Sequence, residues 1–310
     1  MRKLIIIAFL FSWLVAQEDV ISLPSGARLD LPHTANVRVD TIMVKSGATF
    51  AAESPRDFSE AIATGNGTII TGQPLVSSVS SSTSDGAYNA GDTVLVTITF
   101  SENVTVTGTP QLTMETGSTD AVLNYVSGSG TATLVFRYIV ASGHTSADLA
   151  YSSTTALALP ESTTKIQDNL VNDGVLTLPV PGATNSLAAN KVLVIDTEAP
   201  TAGTVSDGSG TDVTYSGSST SITANWTGFS DALSGIASYE IAVGTTSGAT
   251  NVLSWTSAGD VTTYTKSDLS LTHATRYYVS TRALDAAGNY SAAATANGVT
   301  IDVVAPSSTV

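Results

Sequence analysis

The sequence predicts an all-β fold in which two antiparallel β-sandwiches follow one another behind a short β-rich leader. Serine, threonine, glycine, alanine and valine dominate, and this mixture suits short strands joined by small-residue turns. Residues 93–100 alternate strictly between apolar and polar side chains, as a half-buried strand does. Residues 195–200 (Ile-Asp-Thr-Glu-Ala-Pro) recur at 301–306 as Ile-Asp-Val-Val-Ala-Pro. The offset of about 106 residues matches the size of one β-sandwich and therefore indicates tandem modules.

Residues 1–16 are predicted to be a secretory signal peptide. Arg2 and Lys3 supply its positive end, residues 4–15 form its apolar run, and Ala16 is the small residue before cleavage. The alternative is a membrane anchor, but a spanning helix needs about 20 apolar residues and this run stops sooner, at residues 17–19. We therefore expect a secreted or cell-surface protein with no transmembrane segment in the mature chain.

Residues 17–74 are expected to form a short β-rich N-terminal segment. Runs at residues 37–39, 41–44 and 68–70 are rich in β-branched residues, as strands are. A segment of this length with so few apolar positions makes only a marginal core of its own. It is therefore expected to dock on the first module or on another chain, and the sequence does not indicate its role.

The first module is expected at residues 75–198. Val94, Val96, Ile98 and Phe100 lie on one face of the alternating strand and are predicted to point into its core. Further strands are predicted at residues 111–115, 121–126, 131–140 and 191–195. No window sustains a helical period over three turns, so this module is expected to be a sandwich of sheets.

The second module is expected at residues 199–304, and residues 305–310 are expected to begin a further linker or module. Strands are predicted at residues 221–226, 238–244 and 276–284. Within the last of these, the predicted core face comprises Tyr277, Val279, Thr281 and Ala283. Trp226 follows the apolar alternation of its strand and is also predicted to be buried.

The two modules share a spacing of polar residues. Asp168 and Asn172 are four residues apart, as are Asp285 and Asn289, and each pair stands just before the last predicted strands of its module. The rest of the two modules differs in sequence. They are therefore expected to be related architectures and not copies.

Residues 75–198 resemble the bacterial immunoglobulin-like repeats of large secreted and surface-attached proteins. The residues that carry this likeness are 90–93 (Ala-Gly-Asp-Thr), 99–102 (Thr-Phe-Ser-Glu), 107–112 (Thr-Gly-Thr-Pro-Gln-Leu), 125–131 and 195–196. Residues 199–304 are similar to the fibronectin type III-like modules of the same class of proteins. Their likeness is carried by Trp226 and residues 234–236 (Ser-Gly-Ile), 239–241 (Tyr-Glu-Ile) and 282–289. The resemblance covers about two-thirds of the chain and implies architecture, because such modules serve as spacers, adhesins and enzyme appendages alike.

Charge and composition exclude several classes of function. The net charge is −14, with 12 Lys and Arg against 26 Asp and Glu, so the chain is expected to repel nucleic acids. Cysteine is absent, which removes disulfides and thiol chemistry. His33, His144 and His273 fall one in each region, and no Gly-x-Ser-x-Gly elbow accompanies them. No enzyme activity is expected, and no catalytic or cofactor-binding residue is predicted.

Calcium is the one inorganic partner that the sequence makes worth considering. Hard cations bind several oxygen ligands, which an acidic extracellular surface supplies. The candidate ligands are Asp196 and Glu198 between the modules, Asp285 and Asn289 in a loop, and Asp302 at the second Ile-Asp junction. Asx turns and hairpin loops place Asp and Asn at such positions without a metal and more often do so. The sequence therefore predicts no cofactor, with calcium bound to these residues as the one alternative.

The expected function is that of a non-enzymatic extracellular stalk or adhesion module of a bacterial surface or secreted repeat protein. One alternative is the accessory β-sandwich region of a secreted hydrolase. Another is a carbohydrate- or protein-binding module, for which Trp255 is the candidate exposed aromatic residue, although a packed position at a strand edge is the more common one for such a residue. The sequence does not identify a protein or glycan ligand or the oligomeric state.

Overall fold

The structure, a computed structural model, describes residues 73–169 and 171–304 in full and the backbone of six short strands between residues 20 and 70. The predicted signal peptide, residues 1–16, lies outside the described residues, as do the predicted strand at 37–39 and the predicted linker at 305–310. Within the described part, no helix is long and apolar enough to cross a membrane.

The strands of the N-terminal segment form two parallel sheets of three strands each. Their bounds are β1 Val20–Leu23, β2 Arg28–Leu31, β3 Thr41–Val44, β4 Thr49–Ala52, β5 Ile62–Thr64 and β6 Thr68–Ile70. One sheet has the order β1-β3-β5 and the other β2-β4-β6. Val20 pairs with Thr41, which pairs with Ile62, so the chain winds through both sheets once in each turn of about 21 residues. The predicted strands at 41–44 and 68–70 are confirmed, and their partners make the segment a short β-solenoid.

The described residues of the first module form eleven strands and one helical turn. Their bounds are β7 Val76–Ser81, β8 Gly86–Tyr88, β9 Thr93–Thr107, β10 Gln111–Glu115, β11 Ala121–Ser127, β12 Thr131–Ile139, β13 Thr145–Ser146, β14 Ala150–Tyr151, β15 Leu157–Ala158, β16 Lys165–Gln167, α1 Leu187–Asn190 and β17 Leu193–Asp196. An eight-stranded sheet has the main order β14-β10-β11-β12-β9-β16, with β15 on β10 and β7 on β9. A three-stranded sheet has the order β13-β17-β8.

The core of the first module confirms the predicted alternation. Val94, Val96, Ile98 and Phe100 are all buried. Strand β9 runs to Thr107, beyond the predicted end at residue 100, because its second half pairs with β16. The four short strands β13 to β16 were not predicted, since two or three residues carry no readable period.

The second module contains nine strands in two sheets. Their bounds are β18 Thr204–Asp207, β19 Tyr215–Ser216, β20 Ile222–Thr227, β21 Ile236–Gly244, β22 Leu253–Gly259, β23 Thr263–Lys266, β24 Arg276–Asp285, β25 Ala294–Thr295 and β26 Val299–Ile301. One sheet has the order β18-β20-β23 and the other β19-β26-β24-β21-β22, with β25 on β24. The predicted core face of β24 and the predicted burial of Trp226 are confirmed.

Both modules end on a closing strand that is paired in the same way. Strand β17 runs parallel to β8, and β26 runs parallel to β19, although most pairs in the two modules are antiparallel. Asp196 ends β17, and Asp302 directly follows β26. The buried side chains form two separate hydrophobic clusters, one in each module. The fold is therefore a tandem of β-sandwiches in which the two repeated aspartates lie at equivalent places.

Because the two clusters are separate, a cavity in one should leave the other intact. Phe136 is fully buried in the first cluster and meets Tyr125 edge to face at 6.1 Å between ring centroids. We expect Phe136→Ala to lower the free energy of unfolding of the first module by about 3–5 kcal/mol. Chemical denaturation should show this, while the tryptophan fluorescence transition of the second module keeps its midpoint.

Val122→Ala is the matched control, because Val122 lies on the neighbouring strand β11 and is 56% exposed. It should change stability by less than about 0.5 kcal/mol. An equal loss in both variants, or a loss spread equally over both modules, would contradict two independent cores.

Candidate functional site at the module junction

Asp196, the last residue of β17, makes the side-chain contact between the first module and the second. Its Oδ2 accepts hydrogen bonds from the backbone N–H of Ser234 at 3.2 Å and from the Ser234 hydroxyl at 2.5 Å. Its Oδ1 accepts from the N–H of Glu198 at 3.1 Å, an Asx turn that fixes the carboxylate on the chain. Although it ends the last strand of its module, Asp196 has 0% exposure. The second module therefore covers it.

The loop that receives Asp196 is shaped by Asp231. Its Oδ1 accepts three backbone hydrogen bonds, from Leu233 at 3.0 Å, Ser234 at 2.9 Å and Gly235 at 2.7 Å. Gly235 has a φ of 75°, a left-handed conformation that glycine adopts without strain. The Asp-x-x-Ser-Gly sequence therefore folds this stretch into a tight loop that presents the Ser234 N–H and hydroxyl to the first module.

A second loop closes the junction from the end of β24. Asp285 Oδ1 accepts from the N–H of Asn289 at 2.7 Å, and its Oδ2 accepts from Asn289 Nδ2 at 2.8 Å. The same Nδ2 donates to the backbone carbonyl of Asp196 at 3.1 Å. Gly288, with a φ of 97°, allows the turn between them. Asn289 therefore ties the second module to the main chain of the first, while Ser234 holds the side chain.

Three carboxylates meet at this point. Asp196, Asp231 and Asp285 each place an oxygen within 4.8 Å of the others, and Asp196 and Asp285 are buried. None of the ion pairs found among the described residues involves them. Like charges this close repel one another, and the hydrogen bonds from N–H and O–H groups oppose that repulsion. A bound cation would oppose it further.

The donor set indicates which class of cation fits. All three ligands are carboxylate oxygens, and each carboxylate has about four lone-pair positions, more than the hydrogen bonds occupy. Oxygen-only sites suit calcium, and neither a histidine nor a cysteine belongs to the cluster, so a zinc-type site is disfavoured.

The structure brings together some of the predicted ligands and separates others. Asp196 and Asp285 belong to the carboxylate cluster, and Asn289 bridges them. Glu198 contributes only its backbone N–H, and its side chain is exposed and outside the cluster. Asp302 lies at the end of the second module opposite to Asp285. It follows β26, which pairs with the start of β24, whereas Asp285 is the last residue of β24. The two junction aspartates therefore cannot share one ion.

Asp231 was not among the predicted ligands. It stands 35 residues from Asp196 and 54 from Asp285, and nothing in those spacings brings the three together. The available signal was the Asp-x-x-Ser-Gly sequence, whose Ser-Gly-Ile part carries the fibronectin-like resemblance. An aspartate three residues before Ser-Gly is typical of an Asx-type loop in many folds, so it predicts the turn and not the cluster.

The first module carries a loop of the same geometry. Asn172 donates to Asp168 Oδ1 through its N–H at 2.8 Å and to Oδ2 through Nδ2 at 2.7 Å, as Asn289 does to Asp285. This loop lies beside the chain that enters the module, since the N–H of Val175 donates to the carbonyl of Pro74 at 2.8 Å. The four-residue Asp–Asn spacing is therefore a structural feature of the entry end of both modules.

The two described histidines do not form nucleophilic sites. His144 Nδ1 lies 2.8 Å from the hydroxyl of Tyr138, a buried residue, and the two rings stack. Burial raises the pKa of Tyr138 well above its ordinary range. His273 Nδ1 lies 3.7 Å from Asp302 at the surface. His33 lies outside the described residues.

Trp255 does not form an open aromatic platform. The guanidinium of Arg282 lies over its ring at 4.5 Å and over the ring of Tyr290 at 3.9 Å. Glu240 pairs with Arg282 through Oε2, at 2.9 Å from Nε and 2.6 Å from the terminal nitrogen. One face of the indole is therefore occupied by a cation that the neighbouring strand holds in place.

Asp207 is a buried carboxyl whose environment raises its pKa. It is fully buried, its Oδ2 accepts from the N–H of Gly298 at 2.9 Å, and its Oδ1 has no hydrogen-bond partner in the described part of the chain. Burial raises its pKa from 3.8 to about 6, against the lowering effect of the Gly298 hydrogen bond. Its hydrogen bond is to a backbone N–H, so we interpret it as a structural carboxyl.

This carboxyl makes stability depend on pH. Because its pKa is higher in the folded state, the folded chain binds the proton more tightly, and stability is lost as pH rises from about 4 through about 6. Asp207→Asn should remove this loss, so that the variant gains about 1–3 kcal/mol on the parent above pH 6 and little at pH 4. Denaturation at several pH values would measure the gain.

Asp260→Asn is the control, since Asp260 is exposed in the same module. Its stability should follow that of the parent at each pH. A gain in Asp207→Asn that is the same at pH 4 and pH 7 would contradict the assignment of the titrating group.

Comparison with known proteins gives likenesses of fold and no family. No family model matches the sequence, and no curated protein matches it. Domains A168–A170 of titin are 12% identical to this chain, with a TM-score of 0.35, and the match covers 76% of this chain and 70% of that one. The FN1–FN3 domains of chicken CNTN1 are 14% identical, with a TM-score of 0.30 and coverage of 75% of this chain and 70% of that one. Fibronectin(III)-like modules of Clostridium thermocellum CbhA are 14% identical, with a TM-score of 0.27 and coverage of 72% of this chain and 94% of that one.

These neighbours are fibronectin III or Ig-like domains, the architecture that the sequence resemblance predicts. Their TM-scores lie below 0.5, so the likeness carries no argument about this chain. The assignment of two β-sandwiches rests on the strand pairing and on the two separate hydrophobic clusters.

Proposed function

We propose that this chain is a non-enzymatic extracellular stalk or adhesion segment of a bacterial surface or secreted protein, and that the Asp196 junction holds its two β-sandwiches in one mutual orientation. The observation that carries the proposal is the complete burial of the Asp196 carboxylate against Ser234 of the next module. A stalk transmits position and force along its length, so its joints must resist bending.

The short connection between the modules supports this role. Pro200 is buried, and Thr201 pairs with Ser230 through hydrogen bonds of 2.8 Å and 3.3 Å. Only four residues, 197–200, therefore separate the anchored Asp196 from Thr201, which is already paired within the second module. A linker this short and this bonded leaves little freedom for the modules to swing.

The predicted signal peptide and the acidic composition are consistent with an extracellular stalk. The signal-like residues 1–16 would send the chain out of the cell, and the absence of cysteine leaves its stability to core burial alone. A net charge of −14 with few lysines keeps a long polar surface soluble. His144 is hydrogen-bonded to the buried Tyr138, which supports a non-enzymatic role.

Calcium is the proposed ligand of the junction. Asp196, Asp231 and Asp285 would hold the ion, which would neutralise three neighbouring carboxylates from both modules. Because Asp196 comes from the first module and the other two from the second, the ion would join the modules directly. Binding would therefore add stiffness to a junction that hydrogen bonds already form.

The stalk proposal predicts that loss of Asp196 frees the modules. The chain has no cysteine, so Ser118→Cys and Ser247→Cys, one exposed site in each module, permit a clean pair of spin labels. The labelled parent should give a narrow distribution of distances, and Asp196→Ala should broaden it, because Ser234 loses its acceptor.

Asp260→Ala is the matched control, since it removes an exposed aspartate of the second module. It should keep the narrow distribution. An equally narrow distribution in Asp196→Ala, or a broad one in the parent, would refute the rigid junction.

The calcium proposal has a separate test. Titration calorimetry of the full chain after chelator treatment should show calcium binding, and Asp231→Asn should weaken it at least about 10-fold, as loss of a ligand charge does. Asp260→Asn should bind as the parent does. A titration of the parent that shows no binding heat would refute the calcium proposal. It would not affect the proposal that hydrogen bonds hold the junction.

A further inference from the structure

Asp302 has the same place at the end of the second module that Asp196 has at the end of the first. Each follows a fully buried isoleucine, Ile301 or Ile195, on the closing strand of its module. Each closing strand runs parallel to a short early strand, β19 in the second module and β8 in the first. The backbone therefore delivers both aspartates to the exit end of a sandwich in the same way.

The local geometry of the two aspartates also agrees. Asp302 Oδ1 accepts from the N–H of Val304, two residues on, at 3.2 Å. Asp196 Oδ1 accepts from the N–H of Glu198, also two residues on, at 3.1 Å. The Asx turn that orients the buried carboxylate of the first junction is thus already formed at Asp302.

The two aspartates differ in what covers them. Asp196 is fully buried by the second module, whereas the side chain of Asp302 is 51% exposed. Val303 and Val304, which stand where the first junction has Thr197 and Glu198, are 46% and 62% exposed. Among the described residues, Asp302 Oδ2 has no hydrogen bond, whereas Oδ2 of Asp196 has two from Ser234.

His273 does not occupy the place of a docking partner. Its Nδ1 lies 3.7 Å from Asp302 Oδ1, and both side chains are about half exposed. An exposed pair of this kind contributes little to stability and exchanges readily for a stronger partner. It also contacts Oδ1 and leaves Oδ2 free for another donor.

We propose that Asp302, Val303 and Val304 form a docking surface for a further β-sandwich module, joined behind Pro306 in the same polypeptide. This rests on the proposed function of the Asp196 junction. The partner carries a receiving loop like that of residues 231–235, whose serine N–H and hydroxyl bind the free carboxylate oxygen. Val303 and Val304, which replace Thr197 and Glu198, flank that carboxylate and pack against the surface beside the loop.

Part of the receiving chemistry recurs in the first module and supports this partner. The second module receives Asp196 through Ser234 and Asn289, and the Asp–Asn loop that holds Asn289 recurs at the entry end of the first module as Asp168 and Asn172. The second module thus carries both a receiver at its entry end and an aspartate at its exit end, and a further module of the same kind would receive Asp302. Such complementarity joins modules head to tail.

The test is the full chain extended by a second copy of residues 201–304 placed directly after Pro306. This copy carries the Ser234 loop, and its separate hydrophobic cluster allows it to fold. Spin labels at Ser247→Cys in both copies report on the new junction. We expect a narrow distribution of distances that broadens in Asp302→Ala and in the isosteric Asp302→Asn, and that Asp260→Ala leaves unchanged.

In the chain without the extension, Asp302→Ala should shift the melting temperature only slightly, because the carboxylate loses only its exposed contacts with His273 and the N–H of Val304. A broad distribution in the extended parent, or one that Asp302→Ala and Asp302→Asn leave narrow, would overturn the proposal. The junction at Asp196 is measured separately with labels at Ser118→Cys and Ser247→Cys. Failure there would overturn the proposed function, whatever the result at Asp302.

Discussion

The burial of one carboxylate between two β-sandwiches is the interaction on which the proposed mechanics of this chain depends. Asp196 has left water completely, and in exchange it accepts hydrogen bonds from Ser234 and from the turn at Glu198. A buried charge without such partners would be strongly unfavourable, so the docked arrangement depends on the donors that Ser234 and the turn supply. Orientation is thereby linked to a specific set of donors and not only to a short linker.

The same constraint explains the chemistry around the junction. A chain with 26 acidic and only 12 basic residues has few cations to spare, and the three clustered aspartates have none in an ion pair among the described residues. Backbone N–H groups of the 231–235 loop take their place, because a tight turn aims several donors at one oxygen. The lone pairs that these hydrogen bonds leave are the ones that the proposed calcium ion would use.

The alternation of apolar and polar residues made the strand architecture predictable, whereas the full carboxylate cluster was not predictable because its residues lie far apart in the sequence. The faces of β9 and β24 followed from period-two patterns and are buried as predicted. Asp196, Asp285 and Asn289 were found through the repeated Ile-Asp motif and the Asp–Asn spacing, but Asp231 depends on a tertiary contact that no local pattern encodes. The parallel pairing of Val20, Thr41 and Ile62 was not predicted either. The turns of this N-terminal segment have a similar length, but they do not repeat the same residue types at equivalent positions.

The most direct test of this account is a double-mutant cycle between Asp196→Ala and Ser234→Ala, measured by the free energy of unfolding of the full chain. The account predicts strong non-additivity, with a coupling energy of about 1–3 kcal/mol, because each substitution removes the same charged hydrogen bond. Additive effects, within about 0.5 kcal/mol, would show that the two residues act independently and would contradict a junction held by this carboxylate.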